Sequence, residues 1–378
     1  MTVLLLLAVL VLANLAILIT GKTFVYKALY YNFVDIDDYK IFNNRTIDKS
    51  LTPQPWPLSP SYNTKKLPAE LLQTFQKLKT VAFLVVKDGS IVHEEYWDGY
   101  GENSVSNSFS MAKSFVSALA GIALKEGKIK SIEDPVGNYL PEFNEGDKKK
   151  IKIRHLLTMS SGLDWDEGYS SLFSITTEAY YGTDLRGLIN KLKPIEEPGV
   201  YCEYKSGDTQ TLSFVIEKAT GQYLADYASQ KLWQPMGAVH DAYWCLDKKY
   251  GSEKAYCCIN SNARDFARLG HLYLHHGNWK GKQLLDSAYV TASITPNGLK
   301  DKETGKLVDY YGFSWWLIPD YKGQHIAYCR GILGQYIIVI PDKNIVIVRL
   351  GKKRGSKEES ESHFPETYQM IDAVNALF

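Results

Sequence analysis

The most hydrophobic stretch of the chain lies at its N-terminus, where residues 3–19 are Leu, Val, Ile and Ala interrupted only by Asn14. At a rise of about 1.5 Å per residue, a helix of this length just crosses the apolar core of a bilayer. Residues 1–20 are therefore predicted to be a transmembrane or signal segment. Because no Lys or Arg precedes the run and no small-residue cleavage motif follows it, an uncleaved anchor is favoured over a signal peptide removed after Leu15.

Residues 21–65 have no regular period and predict an irregular tether that wraps the domain following it. They contain many Tyr, Asn and Asp residues, and prolines fall at Pro53, Pro55, Pro57 and Pro60. A cluster of this kind is typical of loops. We place the folded domain at residues 66–378.

Apolar runs typical of strands occur at both ends of this domain. The turn dipeptide Asp88-Gly89 joins the first two runs, and a turn beginning at Pro341 joins the last two. The predicted strands cover residues 81–86, 91–97, 312–318, 326–329, 336–340 and 345–350, and helices are predicted over 67–79 and 365–378. Residues 130–290 show mostly helical spacing between loops.

Strands at both ends that bracket a helical middle predict an α+β fold. The simplest closure is one antiparallel sheet built from both ends and flanked by the terminal helices, with a helical subdomain beside it. The sheet part would cover about 66–128 and 290–378, and the helical part about 129–289. Pockets tend to form at such a seam.

One tetrapeptide, Ser110-Met111-Ala112-Lys113, has the spacing of a nucleophile and its base. A Ser and a Lys three residues apart on a helix lie on the same face, so the amine is within reach of the hydroxyl. Such an amine can activate a Ser where no His-Asp pair serves it. Helical spacing continues up to Gly127, so Ser110 is expected at a helix N-terminus, which favours an oxyanion. By itself the tetrapeptide equally fits a helix that begins near a Ser and happens to carry a Lys.

Charge and cysteine content narrow the function classes. Lys and Arg number 43 against 42 Asp and Glu, and no basic stripe interleaved with aromatic residues is present, so nucleic-acid partners are not expected. The five cysteines include no C-x-x-C pair, which implies neither a zinc site nor a disulfide framework. We expect the adjacent Cys257 and Cys258 to be structural. One disulfide is compatible with a location outside the cytoplasm.

Three ordered motifs make residues 65–378 resemble the serine hydrolases related to class C β-lactamases and DD-peptidases. The first is the Ser110 tetrapeptide. The second is Tyr204-Lys205-Ser206, where the family has Tyr-x-Asn. The third is Cys329-Arg330-Gly331, where the family has Lys or His, then Ser or Thr, then Gly, on a strand beside the nucleophile. The Ser-Gly-Asp-Thr-Gln and Gly-x-x-Gly-Gln forms are most similar to the 6-aminohexanoate-dimer hydrolase and carboxylesterase branch.

The resemblance implies a β-lactamase/transpeptidase-like fold and a role for each motif residue. Ser110 would attack a carbonyl and become acylated, and either Lys113 or Tyr204 would take its proton. Tyr204 would later protonate the leaving group. The backbone N–H groups of Ser110 and Ile332 would form the oxyanion hole. The residues expected to contact substrate are Ser206, Arg330, Gly331 and Tyr169, with Arg330 either binding a substrate carboxylate or pairing with a nearby acid.

Two departures from the family pattern bear on the substrate. Cys329 replaces the Lys that in the family attracts the carboxylate of β-lactams and D-Ala-D-Ala peptides. Ser206 replaces the Asn whose amide grips the substrate amide. Both changes leave the nucleophilic machinery intact, so we expect a serine hydrolase that cleaves a carboxylic ester or linear amide through an acyl-enzyme on Ser110.

Two alternatives stay open at this point. A DD-peptidase or weak β-lactamase would use the same nucleophile, whereas a non-catalytic envelope binding protein would not need it. Intact Ser110, Lys113 and Tyr204 argue against the second alternative. The expected partner is a small-molecule ester or amide, and neither a metal nor an organic cofactor is implied.

The protein is expected to be anchored in a membrane through residues 3–19 or exported, with its domain in the periplasm or otherwise outside the cytoplasm. Lys22 and Lys27 directly follow the apolar run. A positive-inside count alone would place the domain in the cytoplasm, so the two indications conflict.

Overall fold

The computed structural model describes residues 2–169, 171–358 and 361–378. The helices are α1 Thr2–Ile19, α2 Phe24–Tyr31, α3 Ala69–Lys77, α4 Ala112–Lys125, α5 Ile153–Leu157, α6 Ile175–Tyr181, α7 Leu185–Lys191, α8 Ser206–Thr220, α9 Leu224–Ala228, α10 Ala263–Leu274, α11 Ser287–Ser293 and α12 Pro365–Leu377. The strands are β1 Asn44–Ile47, β2 Thr80–Lys87, β3 Ser90–Tyr96, β4 Ser106–Asn107, β5 Tyr201–Cys202, β6 Ala242–Cys245, β7 Ile259–Ser261, β8 Asn278–Trp279, β9 Lys282–Gln283, β10 Lys300–Asp301, β11 Trp316–Tyr321, β12 Gln324–Gly331, β13 Gln335–Ile340 and β14 Ile345–Gly351.

The main sheet is antiparallel and is built from both ends of the domain, as predicted. Its strand order is β11-β12-β13-β14-β2-β3. The last strand of the chain, β14, pairs with the first strand of the sheet, β2, with Ile347 opposite Val85. This pairing closes the C-terminal strands onto the N-terminal hairpin.

Both faces of the main sheet are buried, which explains why its strands are apolar runs without alternation. Ile345 and Ile347 pack with residues of α3 and α12 on one face. Val346 and Val348 lie in the larger core on the other face, against α10. A Cβ on Gly270 of α10 would lie 2.6 Å from Val346 Cγ1, so this glycine allows the helix to pack closely on the sheet.

A second antiparallel sheet, ordered β1-β6-β7-β4, corrects two expectations. Residues 130–290 are not only helical, because β6 and β7 lie within them. The predicted irregular tether also contains regular structure, since β1 pairs with β6 and α2 buries Phe24, Val25 and Ala28 in the core. Strands of two to four residues are too short to show a period in sequence. The division of the chain at residue 66 stays a prediction.

Two element boundaries near the site differ from the expected ones. The predicted strand over 312–318 begins only at Trp316, because the preceding residues turn, with Ser314 at a left-handed φ of 59°. The helix after the nucleophile begins at Ala112, so Ser110 lies in the 3₁₀ turn Phe109–Met111 that precedes it.

The N-terminal helix α1 has a mean hydropathy of 3.0 and no buried residue. By length and composition it is long and apolar enough to cross a membrane. Four residues separate it from α2.

Cys257 and Cys258 are joined by a disulfide. The other three cysteines, Cys202, Cys245 and Cys329, are buried thiols.

Candidate active site

Ser110 lies in a turn that is held by hydrogen bonds from residues of β7 and β4. The Ser108 backbone N–H donates to the Ile259 carbonyl at 2.7 Å, and the Ser108 hydroxyl accepts from the Ile259 N–H at 3.1 Å. Phe109 has a left-handed φ of 43°, an uncommon conformation for a bulky residue that costs energy. Asn107 stabilises it by accepting from the Phe109 N–H at 2.9 Å. The turn thus fixes the backbone from which the Ser110 hydroxyl projects.

The Lys113 amine lies beside the Ser110 hydroxyl, as the tetrapeptide spacing predicted. Its Nζ is 3.0 Å from Ser110 Oγ, 3.0 Å from Ser206 Oγ and 2.9 Å from the Tyr256 carbonyl oxygen. The side chain is almost fully buried, with 1% of its surface exposed. Three fixed partners therefore hold the amine at the nucleophile.

Glu167 is a site residue that sequence reasoning missed. One carboxylate oxygen accepts from the Ser206 hydroxyl at 2.6 Å and the Tyr169 hydroxyl at 2.5 Å. The other accepts from the Ser206 backbone N–H at 2.7 Å and from Trp165 Nε1 at 2.8 Å. Ser206 links Lys113 to Glu167, and its expected contact with substrate stays a prediction.

Two buried ionisable residues, Asp208 and Lys205, fix the start of α8. Asp208 is fully buried and accepts hydrogen bonds from the Ser161 hydroxyl at 2.5 Å and the Ser161 N–H at 3.3 Å. Burial raises the pKa of Asp208 to about 7, although the Ser161 hydroxyl and the nearby Lys205 act in the opposite direction. Lys205 is buried too and donates to the Leu163 carbonyl at 2.6 Å.

The aromatic ring of Tyr204 lies beside the Lys113 amine. The centre of its ring is 4.8 Å from Lys113 Nζ, and the ring packs against Trp316 and Tyr311. Within the described ranges its hydroxyl makes no side-chain hydrogen bond, which leaves that hydroxyl open to a substrate.

The end of β12 approaches the nucleophile turn closely because residue 331 is glycine. A Cβ there would lie 2.3 Å from the Ser108 carbonyl oxygen and 3.1 Å from the Phe109 Cβ. The next residue, Ile332, lines the same cavity as Ser110. The strand end is therefore next to the hydroxyl, as the motif predicted.

Arg330 contacts an aromatic ring and a backbone carbonyl, and its expected contact with a substrate carboxylate stays a prediction. Its guanidinium stacks on Trp316, with 3.6 Å between the guanidinium carbon and the ring centre, and donates to the Ser362 carbonyl at 3.1 Å. Among the residues described, no carboxylate forms an ion pair with it. Its charge faces the groove that Tyr204 also lines.

Two separate cavities are lined by these residues. The first, of about 800 Å³, contains Ser110, Tyr169, Ser206 and Ile332 in its wall and is mostly apolar. The second, of about 520 Å³, is lined by Tyr204, Arg330 and several charged side chains. In the part of the chain that is described, no group of three or more His, Cys, Asp or Glu side chains is arranged to hold a metal ion.

Comparison with known proteins places this site in a family context. Residues 69–367 match the sequence profile of the family described as Beta-lactamase. The 6-aminohexanoate-dimer hydrolase of Paenarthrobacter ureafaciens is 26% identical over 298 residues, which is 74% of each chain.

Solved structures share the fold. A Bacillus anthracis protein provisionally described as a 6-aminohexanoate-dimer hydrolase superposes with a TM-score of 0.76 at 22% identity, over 90% of this chain and 91% of that one. A family VIII carboxylesterase superposes with a TM-score of 0.64 at 16% identity, over 85% and 99% of the two chains. At these identities the likeness establishes the fold.

Proposed function

Because the chain belongs to the β-lactamase family, we propose that it is a serine hydrolase that cleaves a carboxylic ester or linear amide through an acyl-enzyme on Ser110. The observation that carries the proposal is the 3.0 Å contact between the buried Lys113 amine and the Ser110 hydroxyl. The protein would be an enzyme whose nucleophile and base lie one helical turn apart.

The hydrogen-bond polarity around Lys113 supports its role as the base. An ionised carboxylate only accepts, so Glu167 requires the Ser206 hydroxyl to donate to it. Ser206 Oγ then faces Lys113 as an acceptor, and the Tyr256 carbonyl is an acceptor as well. When the amine is neutral and donates to these two oxygens, its lone pair is free to take the proton of Ser110, whose Oγ lies 3.0 Å away.

The reaction follows from this arrangement. Ser110 Oγ forms a bond to the substrate carbonyl carbon while its proton passes to Lys113, and the carbonyl oxygen becomes an oxyanion held by the N–H groups of Ser110 and Ile332. The bond to the leaving alcohol or amine then breaks, and Tyr204 delivers the proton that this group needs. A water molecule then attacks the acyl carbon and gives its proton to the Tyr204 oxygen, and the bond to Ser110 Oγ breaks as Lys113 returns the proton to that oxygen, which releases the acid.

The contacts of Cys329 and Ser206 favour this substrate class over β-lactams and D-Ala-D-Ala peptides. Cys329 is 1% exposed and cannot attract a substrate carboxylate in the way that a Lys at this position would. Ser206 is committed to Lys113 and Glu167. The relatives' names include both an amide hydrolase and a carboxylesterase, which is compatible with either acyl substrate.

We also propose that α1 anchors the protein in a membrane and that the hydrolase domain lies outside the cytoplasm. The exposed apolar surface of α1 supports the first part. The Cys257–Cys258 disulfide supports the second, because disulfides persist in oxidising compartments.

A fluorophosphonate probe tests the nucleophile directly. We expect intact-mass analysis of the full chain to show one adduct on the wild type and none on Ser110→Ala, because only an activated Ser hydroxyl attacks the probe. An adduct retained by the alanine variant would assign the nucleophile elsewhere. A folded wild type without any adduct would favour the non-catalytic binding protein, and an adduct with benzylpenicillin would favour the β-lactamase or DD-peptidase alternative.

Glu167→Gln is expected to lower kcat with little change in KM. The Gln amide can donate to Ser206 Oγ, which frees that hydroxyl to donate to Lys113 and to compete for its lone pair. The decrease in kcat should be smaller than the factor of about 10²–10⁴ that a general base contributes to the rate. Steady-state kinetics on an activated ester measure it, with the melting temperature as a check on folding.

The matched control is Glu70→Gln, on the exposed side of α3. It makes the same chemical change far from the site and should leave kcat unaltered. A Glu167→Gln variant with kcat within twofold of the wild type would remove Glu167 from the mechanism.

A further inference from the structure

We propose that the substrate is a long-chain acyl ester of a polar alcohol, which reaches Ser110 from a lipid surface and places its fatty-acyl chain in the apolar cavity beside that residue. The inference rests on the proposed function, because it names the substrate class of the same nucleophile. Residues of the N-terminal segment form part of the wall of this cavity.

The cavity is mostly apolar, although Lys353 and Arg354 also line it, and several of its large apolar side chains are exposed. Ala28 and Leu29 of α2 and Phe33 just after it form one wall, with Ser110 on another. Phe33 is 82% exposed, Leu29 58% and Leu172, which also lines the cavity, 39%. A contiguous exposed apolar patch on a protein marks a site that binds another apolar surface or ligand. A cavity of about 800 Å³ is in the range that encloses a drug-sized ligand.

Helix α2, which lines the cavity, lies close in the chain to α1, the helix long and apolar enough to cross a membrane. Only residues 20–23 separate α1 from α2, so the two helix ends are at most about 18 Å apart. The Tyr26 hydroxyl of α2 also donates to the Asn14 side-chain oxygen of α1 at 2.5 Å. If α1 lies in a bilayer, the rim of the cavity is therefore held at the bilayer surface, where a lipid-like ester is available.

The polarity of the two cavities assigns the two halves of the substrate. Tyr204, the proton donor to the leaving group, lines the second cavity together with Arg330. That cavity also contains Lys302, Lys306 and Glu303, which suit a polar alcohol. The acyl half must then extend the other way, into the apolar cavity with Leu29.

The expected effect follows from burial of the acyl chain. Each methylene transferred from water to an apolar site changes affinity by about fourfold at full burial. The ratio of kcat/KM for a dodecanoyl ester to that for an acetyl ester should therefore be much greater than one, and it should fall when a charge is placed in the wall.

The test uses the full chain in phosphatidylcholine vesicles with 4-nitrophenyl acetate, butanoate, octanoate and dodecanoate. We expect kcat/KM to rise along the series for the wild type. Leu29→Asp should reduce the dodecanoate-to-acetate ratio at least tenfold, and comparing ratios between variants cancels the partitioning of the ester into the vesicles. Leu172→Asp repeats the test at a lining residue outside α2, should Leu29→Asp disturb the packing of α2.

The matched control is Leu51→Asp, at a side chain that is 93% exposed and does not line the cavity. It should keep the wild-type ratio. Hydrolysis of acetate without a preference for longer chains, or an unchanged ratio in both wall variants, would overturn the lipid-like substrate while leaving the serine hydrolase in place. Failure to hydrolyse any ester, together with no fluorophosphonate adduct, would instead overturn the proposed function.

Discussion

Replacing Ser110 by alanine is expected to lower kcat by on the order of 10⁴–10⁶-fold, the range found when the nucleophile of a serine hydrolase is removed. Without Oγ no acyl-enzyme forms, and only the oxyanion hole and substrate binding still accelerate the reaction. The fold should persist because Lys113 keeps its contacts with Ser206 and the Tyr256 carbonyl. Turnover of an activated ester and the melting temperature measure the two effects separately.

Ser61→Ala provides the matched control, since Ser61 is exposed and its hydroxyl bonds to the neighbouring Ser59 hydroxyl, whereas Thr64 bonds to the Ser61 backbone carbonyl, which the substitution keeps. It should have the wild-type rate. A Ser110→Ala protein that turns over within tenfold of the wild type would show that Ser110 is not the nucleophile.

Asp265→Ala is expected to lower the free energy of unfolding by about 3–5 kcal/mol, the cost of leaving one partner of a buried ion pair alone. The Asp265 carboxylate is fully buried and accepts from Arg268 Nε at 2.7 Å and from the backbone N–H groups of Val239 and His240 at 3.1 and 3.0 Å. Arg268 is 1% exposed, so its charge would remain in the core without compensation. Denaturant unfolding of the two proteins measures the difference.

Asp286→Ala, at an exposed position before α11, is the control and should change stability by no more than about 0.5 kcal/mol. If Asp265→Ala unfolds at the same denaturant concentration as the wild type, the buried pair does not stabilise the fold.

The Asp265 carboxylate also makes the free energy of unfolding depend on pH in the acid range. Burial alone would raise the pKa of Asp265, but hydrogen bonds from His240 and Arg268 outweigh it and hold the pKa at about 2. A carboxyl whose pKa is lower in the folded than in the unfolded chain stabilises the fold fully above its unfolded value of about 3.9. This stabilisation should disappear as the pH falls from about 4 to 2, and Asp265→Ala should show a shallower loss over that interval.

The main sheet could be predicted because its strands are apolar runs bounded by turn residues, such as the Asp88-Gly89 turn and the turn after Pro341. The second sheet could not. Its strands, such as Ser106–Asn107 and Ile259–Ser261, are two to four residues long and are stabilised by tertiary pairing rather than by any local pattern. For the same reason the tether prediction missed α2, whose three buried residues show their role only against α6 and the rest of the core.

Residues next to one another in the chain were easier to assign than residues brought together by loops. The spacing of Ser110 and Lys113 indicated their contact, because one helical turn determines it. Glu167 lies only two residues from Tyr169, which was singled out, but its role depends on how that loop folds onto the start of α8. The aromatic contact of Arg330 with Trp316 depends likewise on the pairing of β11 with β12.

The pairing of β14 with β2 has a consequence for how the protein is made. Residues 80–87 obtain their second neighbouring strand only from residues 345–351, which are synthesised much later than they are. Until then β2 and β3 form a two-stranded hairpin, which is marginally stable by itself. The main sheet therefore stays incomplete until residues 345–351 have been synthesised. A message truncated before codon 345 would yield a product with an open β2 edge that is prone to aggregate.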